Sequence, residues 1–151
     1  MFRGVHNINM DAKGRLAMPA RQREPLMERC AGKLVVTVEP KSPCLVIYPL
    51  PEWERIENEI ESLPALKAGV KRLQRQVLGY ATDVDLDGNG RMLLPPPLRK
   101  YARLEKELVL VGQGNKFELW AEPLWFEEVE QPALDPDAGE ELAEEVLSLR
   151  L

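Results

Sequence analysis

Histidine and cysteine are scarce in this chain: its 151 residues include one His and two Cys. Cys30 and Cys44 form no C-x-x-C pair and have no His beside them. Neither a four-ligand structural zinc site nor a three-donor catalytic one is expected from that set. The count permits one disulfide, but in a reducing cytosol both thiols read as small buried apolar residues. Cys–His catalysis would have to use His6, which sits in the alternation Val5-His6-Asn7-Ile8-Asn9-Met10 of an ordinary strand. No stretch approaches the ~20 apolar residues that cross a bilayer. No apolar segment or small-residue cleavage site follows Arg3, so the expected location is cytoplasmic, with no membrane partner.

The formal net charge is only −5, yet charge is distributed unevenly. Residues 1–33 carry +4, residues 34–64 carry −4, and residues 65–80 hold Lys67, Lys71, Arg72 and Arg75 with no acid. Residues 81–107 balance, and residues 108–151 carry −9. A globally acidic chain is a poor general polyanion binder. Screening over ~8–10 Å at physiological salt still leaves a local basic patch free to act.

The sequence repeats itself. Asp11-Ala12-Lys13-Gly14-Arg15-Leu16-Ala17-Met18-Pro19 matches Asp87-Gly88-Asn89-Gly90-Arg91-Met92-Leu93-Leu94-Pro95 at an offset of 76, which Arg23 and Arg99 also keep. Leu34–Val38 matches Leu108–Val111 at 74, and Leu45–Tyr48 matches Phe117–Trp120 at 72, as do Pro51/Trp53 and Pro123/Trp125. Each half reads as an alternating strand, a Gly-containing turn and a second strand, hence a β-hairpin. Gly14 and Gly90 take the positive φ of the turn, and Pro19 and Pro95 end the second strand. A short helix follows, over 20–29 or 98–104, and then two further strands.

Between the halves, Trp53, Ile56, Ile60 and Leu63 form one helical apolar stripe, and Leu66, Val70, Leu73 and Val77 form another. Leu142, Val146 and Leu149 in the acidic tail predict a last amphipathic helix. The organisation expected is a first repeat over 1–54, a helical connector over 55–79, a second repeat over 80–126 and an acidic linker and helix over 127–151. Four strands alone are marginal, so the two repeats should interleave into one closed barrel, a mostly β fold with flanking helices (α+β).

Three chemistries compete for the D-x-x-G-R turn. In a structural role, Asp11 accepts turn N–H groups and pairs with Arg15, a surface contact worth ~0–1 kcal/mol. In a calcium role, Asp83-Val84-Asp85-Leu86-Asp87-Gly88 imitates the opening of an EF-hand loop, but the twelfth position is Leu94 and the flanks are strands. The three aspartates then share a solvent face. In a nucleic-acid role, a two-stranded ribbon fits the ~12 Å major groove, and Lys13, Arg15 and Arg91 can meet phosphate or guanine, with Asn7 and Asn9 as adenine readers. No carboxylate pair sits with a nucleophile or pocket, so no enzyme, cofactor or small-molecule ligand is expected. An oligomeric protein-interaction scaffold without DNA binding is the alternative reading.

Met1-Phe2-Arg3-Gly4, Asp11-Ala12-Lys13-Gly14-Arg15-Leu16, Tyr48-Pro49-Leu50-Pro51-Glu52-Trp53, the Asp87–Arg91 turn and the run from Val111 to Trp120 together resemble the MraZ family. The likeness covers residues 1 to about 125. It implies tandem SpoVT-AbrB domains whose swapped hairpins close a barrel within one chain. It also implies a ring-shaped homo-oligomer that binds short direct repeats in double-stranded DNA upstream of its own operon. The implied role is a nucleoid-associated transcriptional regulator, a repressor, of the division and cell-wall gene cluster. Carried over, Arg15 is the leading DNA contact, with Lys13 and Arg3 beside it and Arg91 as the second-repeat counterpart. Asn89 replaces Lys13 there, and Asp83, Asp85 and Asp87 crowd the site, so the second tip should contact DNA weakly or not at all. Asp11 orients Arg15, and Gly14, Asp87 and Gly90 shape the turns.

Overall fold

Successive side chains of a strand point to opposite faces of the sheet, so each strand has two distinct faces. In the computed structural model, which describes residues 1–133 and 148–149, those faces separate one shared core from two smaller clusters. The first half runs β1 (Val5–Asn9), β2 (Arg15–Ala17), α1 (Ala20–Cys30), β3 (Lys33–Val38) and β4 (Leu45–Pro49). The connector holds α2 (Leu50–Glu61) and α3 (Ala68–Leu73), which runs on into a π-helical turn, Gln74–Leu78. The second half runs β5 (Thr82–Asp85), β6 (Arg91–Leu93), α4 (Pro96–Tyr101), β7 (Glu107–Gly112), β8 (Phe117–Ala121) and α5 (Glu122–Val129). The fold is therefore mostly sheet with helices, α+β, built from two similar halves.

The halves exchange their first strands. The main sheet has the order β1-β7-β8-β4-β3-β5, all antiparallel, so β1 pairs with the second half and β5 with the first. The exchange is reciprocal to the residue. Ile8 faces Leu108 and Asn9 faces Glu107; at the equivalent positions, Val84 faces Leu34 and Asp85 faces Lys33. A pseudo-two-fold axis passes between β4 and β8, where Val46 faces Glu118. The within-repeat hairpin expected from sequence is reduced to one bridge, Met10 with Leu16. After each turn the chain leaves the sheet, and β2 pairs with β6 as a separate ribbon.

One closed barrel was expected, but the hydrogen-bonded ladder stays open, with β1 and β5 as its edges. The second strands are too short to bridge it, because Pro19 and Pro95 follow close behind and proline cannot donate to a ladder. The ribbon closes the core by packing instead. Leu16, Met18, Met92 and Leu94 point down onto Leu34, Val36, Ile47, Leu108, Leu110 and Phe117, with Leu26 of α1 and Leu98 of α4 sealing the sides.

On the opposite face of the sheet, Trp53 and Ile60 of α2 and Val77 of the π-helical turn cover Val35, Val46 and Tyr48. Thr37 donates its buried hydroxyl to the Val77 carbonyl at 2.6 Å and pins the connector there. The second half repeats the arrangement with α5: Trp125 packs on Trp120 at 5.8 Å, as Trp53 packs on Tyr48 at 5.8 Å. Some details differ from expectation. Leu66 lies in the turn before α3 and is fully exposed, outside the second apolar stripe, while Pro64 holds Leu63 out of helical geometry after the end of α2. Cys44 is buried but Cys30 only half-buried, and both are free thiols. The tail helix expected around Leu142 and Val146 lies outside the described residues. Among the described residues, no helix is long and apolar enough to cross a membrane.

Candidate nucleic-acid interface

Each tip is organised by its aspartate. Asp11 Oδ1 accepts the N–H groups of Lys13 at 3.0 Å and Arg15 at 2.9 Å, while Oδ2 takes the Arg15 Nε–H at 2.8 Å. Asp87 Oδ1 accepts the N–H groups of Asn89 at 2.8 Å and Arg91 at 2.9 Å. The Arg15 N–H holds the Asp11 carboxyl below its ordinary value of 3.8 against the opposing effect of desolvation, with smaller help from the Arg15 guanidinium and the Lys13 N–H. The Arg91 and Asn89 N–H groups do the same for Asp87, helped by the charges of Arg91 and Arg23. Both carboxylates thus hold their turns in the ionised form, and Asp11 is also ion-paired with Arg15. Asp83 and Asp85 project from β5 into solvent on either side of buried Val84, so the second tip keeps two uncommitted negative charges.

The ribbon between the tips presents an outward face. On it Arg15 faces Leu93 and Ala17 faces Arg91, while Leu16 and Met92 point into the core. Arg15 and Arg91 are therefore diagonal neighbours, ~7–8 Å apart at the backbone. Arg15 is half-exposed although paired with Asp11 (49% for its side chain), and among the described residues Arg91 has no ion-pair partner. An exposed pair of this kind is cheap to exchange for a phosphate. An open groove of about 330 Å³ runs beside the ribbon, bordered by Asn9, Arg15, Arg91 and Lys106. Lys13 is exposed at the first tip.

Arg3 is not beside Arg15. The Phe2–Gly114 bridge and the Gly112 N–H to Gly4 carbonyl bond hold the N-terminus at the β7–β8 turn. That is the far end of β1 from Asp11, roughly 15 Å away by the rise of a five-residue strand. Lys106 takes its place at the first tip, since its carbonyl accepts the Met10 N–H at 2.8 Å. Nothing local marks Lys106 in the sequence, because only the exchanged β1–β7 pairing brings it there. The equivalent of Lys106 at the second tip is Gly32, whose carbonyl accepts the Leu86 N–H at 2.9 Å. Among the described residues, no cluster of His, Cys, Asp or Glu is arranged to hold a metal ion, the β5 aspartates included.

Comparison with known proteins bears on this geometry. The family model described as "MraZ protein, putative antitoxin-like" matches twice in tandem, over residues 1–76 and 77–142. A protein of Thioalkalivibrio sulfidiphilus named Transcriptional regulator MraZ is 60% identical over 125 residues, 83% of each chain. The protein of the same name from Halorhodospira halophila is 58% identical over 125 residues, 83% of this chain and 82% of its own. The one from Saccharophagus degradans is 50% identical over 151 residues, the full length of both. With two family matches that meet in the connector and relatives this similar along most of its length, the chain belongs to the MraZ family.

Proposed function

We propose that this protein is a sequence-specific DNA-binding transcriptional regulator, acting as a repressor of the division and cell-wall gene cluster. It works in the cytoplasm on the nucleoid, as a ring-shaped homo-oligomer on short direct repeats upstream of its own operon. The observation that carries the reading is the outward face of the β2–β6 ribbon, with Arg15 and Arg91 on a raised two-stranded element. Such a ribbon has the width that the major groove of B-DNA admits, and arginine reads the O6/N7 edge of guanine with two bonds. Lys13 and Lys106 flank it as phosphate contacts, and Asp11 presents Arg15. The names of the relatives, transcriptional regulators, support the same class of activity.

Affinity in this scheme comes from repetition. Two or three phosphate contacts per subunit give a shallow salt dependence, a slope of ~0.9 per phosphate neutralised. A ring that brings several tips to successive repeats makes each later contact intramolecular, which raises affinity by ~10²–10⁴. Repeats spaced near one helical turn return the same groove face to each subunit. Occupancy of the promoter then blocks transcription.

The test is an anisotropy titration of the full chain against the duplex upstream of its own gene and against a shuffled duplex, at several salt concentrations. The native duplex is expected to bind at least ~10³-fold more tightly. Equal affinity for both duplexes overturns the reading and leaves the DNA-free scaffold.

A further inference from the structure

The two reading turns are held from outside their own repeat. Gly14, between Lys13 and Arg15, has φ +90°, and a Cβ there would stand 2.8 Å from Arg99 Nε and 2.9 Å from its Cζ. Arg99 begins in α4 of the other half and donates its Nε–H to the Leu94 carbonyl at 3.0 Å. The Leu94 N–H in turn donates to the Gly14 carbonyl at 2.9 Å. The first turn thus rests on a guanidinium laid against a residue without a side chain, and one residue, Leu94, joins the two through its N–H and its carbonyl.

The second turn repeats this with the partners exchanged. Gly90, at φ +72°, leaves the space that Arg23 of α1 occupies. Arg23 donates its Nε–H to the Met18 carbonyl at 2.6 Å, and the Met18 N–H donates to the Gly90 carbonyl at 2.8 Å. Both arginines are half-buried, and neither forms an ion pair among the described residues. A half-buried guanidinium outside any ion pair among the described residues, donating to a strand-end carbonyl and filling a glycine's missing volume, holds the turn by shape and hydrogen bonding, and Arg23 adds its charge to Asp87.

We propose that Arg99 and Arg23 are crossed positioning residues. Arg99, in the second repeat, sets the DNA-reading turn of the first, and Arg23, in the first repeat, sets the turn of the second. The first tip carries Lys13 and Arg15 and lies beside Lys106, whereas the second carries Asn89 and lies beside Asp85. Loss of Arg99 therefore harms DNA recognition, and loss of Arg23 hardly touches it. The proposal rests on the DNA-binding reading only for its affinity readout.

The experiment compares full-length Arg99→Ala, Arg99→Lys, Arg23→Ala and Arg15→Ala. The readouts are affinity for the upstream duplex and the backbone amide resonances of both turns without DNA. Arg99→Ala is expected to weaken binding about 10-fold, part of the worth of the contact it positions. It should move the Gly14 and Arg15 amides while leaving Gly90 and Arg91 in place. Arg23→Ala should do the converse to the amides and change affinity less than about 2-fold. Arg99→Lys keeps the charge but cannot lie flat on Gly14, so it should restore less than half of the lost affinity. Adding Arg99→Ala to Arg15→Ala should cost nothing further, since one residue acts through the other.

Full rescue by Arg99→Lys, amide changes confined to the variant's own repeat, or additive losses with Arg15→Ala would each overturn the crossed arrangement. Should Arg15→Ala bind like the unaltered chain, the DNA reading fails, and the amide pattern alone still decides this proposal.

Discussion

The two tips have the same backbone and opposite surroundings. In both, an aspartate Oδ1 takes two N–H groups, a glycine carbonyl takes an N–H from the other half, and an arginine starts the ribbon strand. Around the first stand Asn7, Asn9, Lys13 and Lys106; around the second, at the equivalent places, stand Asp83, Asp85, Asn89 and Gly32. Architecture is therefore duplicated while charge is not. The difference teaches that one backbone design can carry two electrostatic environments, with the lysines gathered at the first tip and the aspartates at the second.

The sharpest way to break this contrast is to remove each arginine in turn. Arg15→Ala should lower specific affinity by ~100-fold or more, since each subunit loses a contact worth ~1–3 kcal/mol and avidity multiplies the loss. Arg91→Ala should cost less than about 10-fold, with the oligomer unchanged by light scattering in both cases. A larger loss for Arg91→Ala would invert the ranking of the tips.

Stability gives a second contrast. An alanine at Gly14 would meet the Leu94 carbonyl at 2.7 Å, which is backbone and cannot swing away, whereas an alanine at Gly90 meets the flexible side chain of Arg23. Urea denaturation should find Gly14→Ala destabilised by ~1–3 kcal/mol and Gly90→Ala by less. Equal losses would mean that the Arg23 side chain cannot give way to an added Cβ at Gly90.

A smaller effect comes from recharging the weak tip. Asn89→Lys with Asp85→Asn should raise affinity several-fold and steepen the salt slope by ~0.9 for each additional phosphate neutralised. Lys106→Ala at the strong tip should shift the slope by about the same amount the other way. Smallest of all is the response to pH. Both Asp11 and Asp87 have folded values below 3.8, so the stability that they lend is fully present above the ordinary carboxylate range and is lost as pH falls through the lowered folded values. Between pH 6 and 8 these two groups should leave binding flat. A loss of the Lys13 and Arg15 amide pattern in that window would point to another titrating group.

Local features of the chain were legible in its sequence. The 76-residue offset marked both turns, both ribbon strands and the Arg23/Arg99 pair, because turns and short strands are set by neighbours in sequence. Strand partnership was not legible from the residues alone, since alternation tells which way a side chain faces but not which strand lies beside it. For that reason Lys106 was invisible. The short ribbon strands also hid the open sheet: three residues before a proline look like any strand end until their neighbours are known.

The exchange of first strands also has a consequence in time. Val5 leaves the ribosome about 100 residues ahead of Val111, yet they are partners. At 5–20 residues per second, the opening strand waits roughly 5–20 s for its mate to be synthesised. Throughout that wait Ile8 and Met10 have no finished layer to join. Truncating the message anywhere before the seventh strand should therefore yield not half a protein but a sticky precursor, and the cell's holding chaperones should meet this nascent chain early.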